Sequence, residues 1–164
     1  MVQPISHINP YYNSTTLLRP YYACTSCLLP TYGRNGCMFD KEEVDFFVKE
    51  GEKALPYLTN ILALSNNEPQ IVETMHIMNK MIDNGVKGID KLYPYFARFN
   101  NTTSPNIQSY LAGIYRKTQV PDAFGPLVKM LVRNSISPFK NQFFDPNEEI
   151  GGAILSYVSD KFRK

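Results

Sequence analysis

No stretch of this chain stays apolar for the roughly 20 residues that a bilayer demands, so no membrane span and no membrane partner is expected. The start, Met1-Val2-Gln3-Pro4-Ile5, carries neither the basic cap nor the continuous apolar core of a secretory signal, and a cytoplasmic location is the expectation. In that setting the sequons Asn13-Ser14-Thr15 and Asn101-Thr102-Thr103 carry no meaning. Glycine-rich phosphate loops are missing as well. Gly85, Gly88 and Gly113 stand alone, and Gly151-Gly152 lies inside a helical pattern with no lysine after it. The pair is expected to permit close helix packing. Excess charge is also small: a net +2 over 164 residues does not argue for nucleic acid, which is not an expected partner.

Cysteine is sparse, at three residues. Cys24-Thr25-Ser26-Cys27 followed by Cys37 is the one arrangement with ligand-like spacing, and His7 is the nearby candidate for a fourth position. Zinc takes four such ligands, usually as two close pairs. Cys24, Cys27, Cys37 and His7 therefore define the alternative reading, an N-terminal segment folded around a structural zinc. The second close pair is missing, so no cofactor is the primary expectation. A redox C-x-x-C needs a strand running into a helix start. Arg19-Pro20-Tyr21-Tyr22-Ala23 is too short and broken to supply one.

What is present divides near Phe39-Asp40. Residues 1–39 hold Arg19 and Arg34 but no lysine and no acidic residue, whereas residues 40–164 hold 15 basic and 15 acidic residues. The first part carries Pro4, Pro10, Pro20 and Pro30, and its Asn9-Pro10-Tyr11-Tyr12 and Arg19-Pro20-Tyr21-Tyr22 are near copies. Each proline fixes its own φ and pushes its predecessor towards extended backbone, so residues 1–39 read as an irregular Pro/Tyr-rich arm. Exposed tyrosine rings would forgo apolar burial, and the arm is expected to lay them on the body.

Residues 40–164 read as helical. Asp40 and Glu43 form a capping pair, Phe39 and Val44 occupy staple positions, and Gly51 is placed to end that helix. A helix follows from about Glu52 to Leu64, and Asn66-Asn67 turn the chain. Pro69 then begins another, with Ile71, Met75, Met78 and Ile82 at helical spacing. Met75, Met78 and Met81 read as adaptable core filler. The alternation recurs with Leu92, Tyr95, Phe96 and Phe99, and then with Ser104-Pro105 opening the Ile107, Leu111, Ile114 and Tyr115 stripe. A third unit has Phe124, Leu127, Val128 and Leu131, then Asp145-Pro146 with Glu148, then Ile150, Ile154, Tyr157 and Val158.

One phrase punctuates this body. Leu55-Pro56-Tyr57-Leu58, Tyr93-Pro94-Tyr95-Phe96 and Gly125-Pro126-Leu127-Val128 each set a proline early in an apolar helical segment, with the prolines 38 and 32 residues apart. That spacing belongs to stacked helical hairpins, each covering its neighbour's apolar face. The expected fold is all-α: a short right-handed α-solenoid of about three hairpins over residues 40–164, preceded by the arm of residues 1–39.

An early proline, a short polar turn and a second amphipathic helix resemble a HEAT or armadillo-like repeat. HEAT repeats commonly carry an aspartate in the turn and an arginine in the second helix. Here the turns hold Asn66-Asn67 and Asn100-Asn101, and no arginine matches, so the resemblance is to the HEAT-like class at large. It implies a protein-binding or scaffolding role, with the second helices lining a concave surface. An accessory or regulatory domain of an enzyme is a further possibility of such short chains.

No acid, base and nucleophile set stands out, so the chain is read as non-enzymatic. The acidic stretch Glu42, Glu43, Asp45, Glu50 and Glu52 suits exposed first turns of helices. His76 has Val72, Asn79 and Lys80 one turn away and reads as a partly buried structural side chain. Phe139, Phe143 and Phe144, in an insertion from Ser135 to Phe144, are expected to cap the last hairpin or to meet a partner. The candidate partner-binding residues are thus Phe139, Phe143, Phe144, His76 and Lys80, and the expected partner is a protein or peptide, with no small-molecule substrate.

Overall fold

A computed structural model describes residues 41–136 and 145–162, with side chains from Val44 to Ile136 and from Asp145 to Ser159. Among the described residues every regular element is helical and there is no strand. The arm of residues 1–39, the cap residue Asp40 and the phenylalanines of the 137–144 segment lie outside the described residues. The chain divides into two compact units, Met1–Lys87 and Gly88–Lys164.

In the first unit, α1 (Lys41–Glu50) ends where Gly51 takes a φ of +60°, a left-handed turn that a side chain would resist. The chain restarts as a 3₁₀ turn, Gly51–Ala54, which feeds α2 (Leu55–Leu64). Asn67 then opens α3 (Glu68–Asp83) by accepting from the Gln70 amide, with Pro69 in the first turn as expected. Both α1 and α2 pack on α3. Leu58, Leu62, Ile71, Met75, Met78 and Met81 form the core between them, the methionines fully buried.

In the second unit a 3₁₀ turn, Ile89–Leu92, leads into the short α4 (Tyr93–Ala97). Ser104 accepts from the Ile107 amide to start α5 (Pro105–Thr118), whose Ile107, Leu111, Ile114 and Tyr115 are all buried, as their spacing requires. A 3₁₀ turn, Pro121–Ala123, precedes α6 (Phe124–Ile136), and Asp145 opens α7 (Pro146–Phe162) by accepting from the Asn147 amide. The longest packing seam runs between α5 and α7, with α6 also against α7.

The repeated proline phrase has a common local structure: each copy stands directly after a 3₁₀ turn, in the first turn of an α-helix. The physical cause is the missing N–H. An α-helix would have the residue at Pro56 donate to the Glu52 carbonyl; that carbonyl accepts from Leu55 instead, three residues on. Its apolar positions are less uniform than the alignment suggests. Tyr57 and Leu127 are buried, but Tyr95, in the five-residue α4, is 40% exposed.

The glycine pair in α7 corrects another expectation. A Cβ on Gly151 would meet nothing within 4 Å, and one on Gly152 would meet only the Arg116 guanidinium at 3.7 Å. Close helix packing does not require either glycine, since each position has room for a methyl group.

Candidate functional site

Two polar networks set the framework of the second unit. The first surrounds the Val120–Asp122 turn. Tyr157 donates its one hydroxyl proton to the Val120 carbonyl at 2.6 Å, with the Tyr115 carbonyl 3.2 Å from the same oxygen. Tyr115 donates to Asn100 Oδ1 at 2.6 Å, and Asn100 Nδ2 reaches the Tyr93 hydroxyl at 3.4 Å. Tyr93 in turn donates to the Asp122 carbonyl at 3.0 Å. Its ring lies 5.6 Å from that of Tyr115, and the ring of Phe124 lies 5.7 Å from that of Tyr157. Each hydroxyl therefore ties a helix to a turn.

These phenols hold their protons tightly. Burial drives the Tyr115 hydroxyl far above its ordinary 10.0, with Tyr93 and Tyr157 adding to the rise and the Asn100 hydrogen bond opposing it. Burial, and then Tyr93, pushes Tyr157 up to about 12. Burial also raises Tyr110. Tyr115 and Tyr157 thus serve as hydrogen-bond donors at neutral pH and brace the fold.

The second network is an amide clamp. Asn134 Nδ2 donates to Gln108 Oε1 and to Asn147 Oδ1, both at 2.8 Å, and Gln108 Nε2 donates to the Thr102 carbonyl at 3.0 Å. Gln108 and Asn134 are 1% and 4% exposed, so this clamp joins α5, α6 and α7 from inside the core. At the surface the seam adds one ion pair, Arg116–Glu149 at 3.5 Å.

The clamp decides which way α6 faces. With Leu127, Met130 and Asn134 turned inward, Lys129, Val132 and Ile136 must turn out. Val132 is 51% and Ile136 76% exposed, and they lie one turn apart on the same face. Arg133, beside them, donates to the Asn100 carbonyl at 3.1 Å and to Asn101 Oδ1 at 3.5 Å. This strip is apolar with a basic edge, and it is the candidate site.

Of the residues singled out from sequence, Cys24, Cys27, Cys37, His7, Phe139, Phe143 and Phe144 lie outside the described residues. His76 and Lys80 are one turn apart on α3 in the first unit, the first half-buried and the second exposed, whereas the α6 strip belongs to the second unit. Glu73, 1% exposed and three residues before His76, escaped the sequence reading, although its i,i+3 spacing was there to be read. Val132 and Ile136 escaped it too. Their signal was positional: they fall outside the Leu127 stripe, but nothing marked Asn134 as an inward residue.

Among the described residues no three His, Cys, Asp or Glu side chains converge as a metal site requires, and no helix is long and apolar enough to cross a membrane. Compared with known proteins, the chain matches no family model, no curated sequence and no solved structure.

Proposed function

We propose that this chain is a non-enzymatic interaction module, a short right-handed stack of about three HEAT-like helical hairpins that offers helix surface to a protein or peptide. The observation that carries this reading is the outward face of α6. There Val132 and Ile136 leave two large aliphatic side chains in water one turn apart, although their helix is clamped in place from behind. A rigid helix with an uncovered apolar strip suits recognition, because little conformational freedom is lost on docking. The extensive seam between α5 and α7, the second helices of successive hairpins, supports the repeat reading. The tyrosine cluster supports the non-enzymatic reading, since the hydroxyls of Tyr93 and Tyr157 are spent on backbone carbonyls and that of Tyr115 on Asn100.

The test uses the full chain as bait in extracts of its native host, beside a Val132→Glu/Ile136→Glu double variant. A partner retained by the parent chain and lost by the variant is the expected result. Recovery of no such partner, together with turnover of a small molecule by the purified chain, would overturn the proposal.

A further inference from the structure

The α6 strip has a charge as well as a shape, and the charge specifies what would cover it. Helix α6 contains Lys129 and Arg133 and no acidic residue. Lys129 is exposed, and among the described residues neither it nor Arg133 is paired with a carboxylate; the Arg133 guanidinium rests on two neutral oxygens, Asn100 O and Asn101 Oδ1. On α7, Glu149 is engaged by Arg116, and Glu148 is exposed. Across residues 88–164 the sequence holds 10 basic and 6 acidic residues, so the whole second unit carries the same sign as the strip. Two aliphatic side chains thus sit beside cations that nothing in the described structure neutralises.

We infer that this face docks an acidic amphipathic helix of a partner protein, its apolar side on Val132 and Ile136 and its carboxylates along Lys129 and Arg133. The inference rests on the interaction-module reading above and names the chemistry of the partner. A helix is favoured because anchors at i and i+4 match the one-turn separation of Val132 and Ile136. Acidity is favoured because opposite potential steers encounter and rejects basic competitors. A nucleic acid would gain from the cations, but Lys129, Val132, Arg133 and Ile136 offer it no ring to stack on. An anionic lipid surface would need a longer apolar face than two side chains provide.

A phage-displayed library of random peptides about 16 residues long, roughly four helical turns, supplies the probe. It is selected on the full chain, and the enriched peptides are then titrated against variants and against salt. Net negative peptides with apolar residues at helical spacing are expected to dominate. Val132→Ser/Ile136→Ser should weaken them by about tenfold or more, the scale of losing an interface anchor. Lys129→Glu should weaken them too, and so should added salt. Neither variant should shift the melting temperature, because the residues replaced are exposed. Enriched peptides that are neutral or basic, or acidic peptides indifferent to these substitutions, overturn the inference. So does binding of a DNA oligomer or an anionic vesicle at this face in place of any acidic peptide. If host extracts still yield a partner that depends on Val132 and Ile136 while the peptides show no acidic bias, the partner chemistry fails and the module reading stands. Loss of both results removes both.

Discussion

The hydroxyl of Tyr93 donates to the carbonyl of Asp122 at 3.0 Å, and that carbonyl stands four residues before Pro126. In an unbroken α-helix residue 126 would supply the N–H that Asp122 needs, and proline has none to give. A side chain from α4 therefore substitutes for a backbone donor at the start of α6. Tyr93→Phe should cost about 0.5–1.5 kcal/mol, as for an ordinary hydrogen bond. In a Pro126→Ala background, where an amide is restored, the same change should cost less. A double-mutant cycle by denaturant unfolding measures the difference, and equal costs in both backgrounds would show that the tyrosine and the proline are unconnected.

The amide clamp should dominate the polar contribution to the second unit. Asn134→Ala leaves Gln108 Oε1 and Asn147 Oδ1 short of a donor, and burial makes that loss worth about 1–3 kcal/mol or more. Arg116→Ala breaks an ion pair whose side chains are 42% and 41% exposed, and it should cost about 0–1 kcal/mol. Thermal unfolding of the two variants side by side checks the ranking.

Much of this arrangement could be read from the sequence, and the reasons are local. Pro69 and Ser104-Pro105 mark helix starts because capping and the proline N–H act within one turn, whatever lies around them. The Ile107, Leu111, Ile114 and Tyr115 stripe is legible because one helix period places all four on one face. The α6 strip was not legible. Its orientation is set by Asn134, a polar residue turned inward to meet Gln108, 26 residues earlier, and Asn147, 13 residues later. Hydropathy counts such a residue as surface, which rotates the inferred face towards Phe124 and Leu131. Likewise, Tyr95 holds the place of the buried Tyr57 in the proline phrase, but it is 40% exposed.

The α7 glycines give a prediction of opposite sign. Gly151→Ala and Gly152→Ala each place a methyl group where the nearest obstacle is open space or a flexible arginine at 3.7 Å. Each should stabilise the chain by about 0.5–1 kcal/mol, the usual helix preference of alanine over glycine. A melting temperature that falls in either variant would show that the helix seam does use the missing side chain.

Core truncation should be costly in the same unit. Leu111 is 0% and Phe96 1% exposed, so Leu111→Ala should lose about 2–5 kcal/mol and Phe96→Ala about 3–5 kcal/mol through the cavities left behind. Losses below about 1 kcal/mol at both positions, the level of ordinary surface changes, would deny them their place in the core.

Alkaline pH should open the second unit. The Tyr157 phenol rises from 10.0 in the unfolded chain to about 12 when folded, so folding favours the protonated form. The stability linked to it is fully present below pH 10 and is lost as pH climbs through about 12, and Tyr115 shifts in the same direction. Ultraviolet titration of the phenolates alongside circular dichroism checks this. Ionisation of Tyr157 at its ordinary value, with helicity intact, would contradict the burial of the cluster.

The dependence of both α5 and α6 on α7 has a consequence for synthesis. On the ribosome, α2 and α3 are neighbours in the chain and can pair as soon as they emerge. Helices α5 and α6 emerge before the surface that covers them, and they stay uncovered until Pro146–Phe162 has left the exit tunnel. In that interval Leu111, Met130 and their neighbours face solvent or a chaperone. The nascent second unit is thus most exposed to proteolysis and aggregation until α7 has cleared the tunnel.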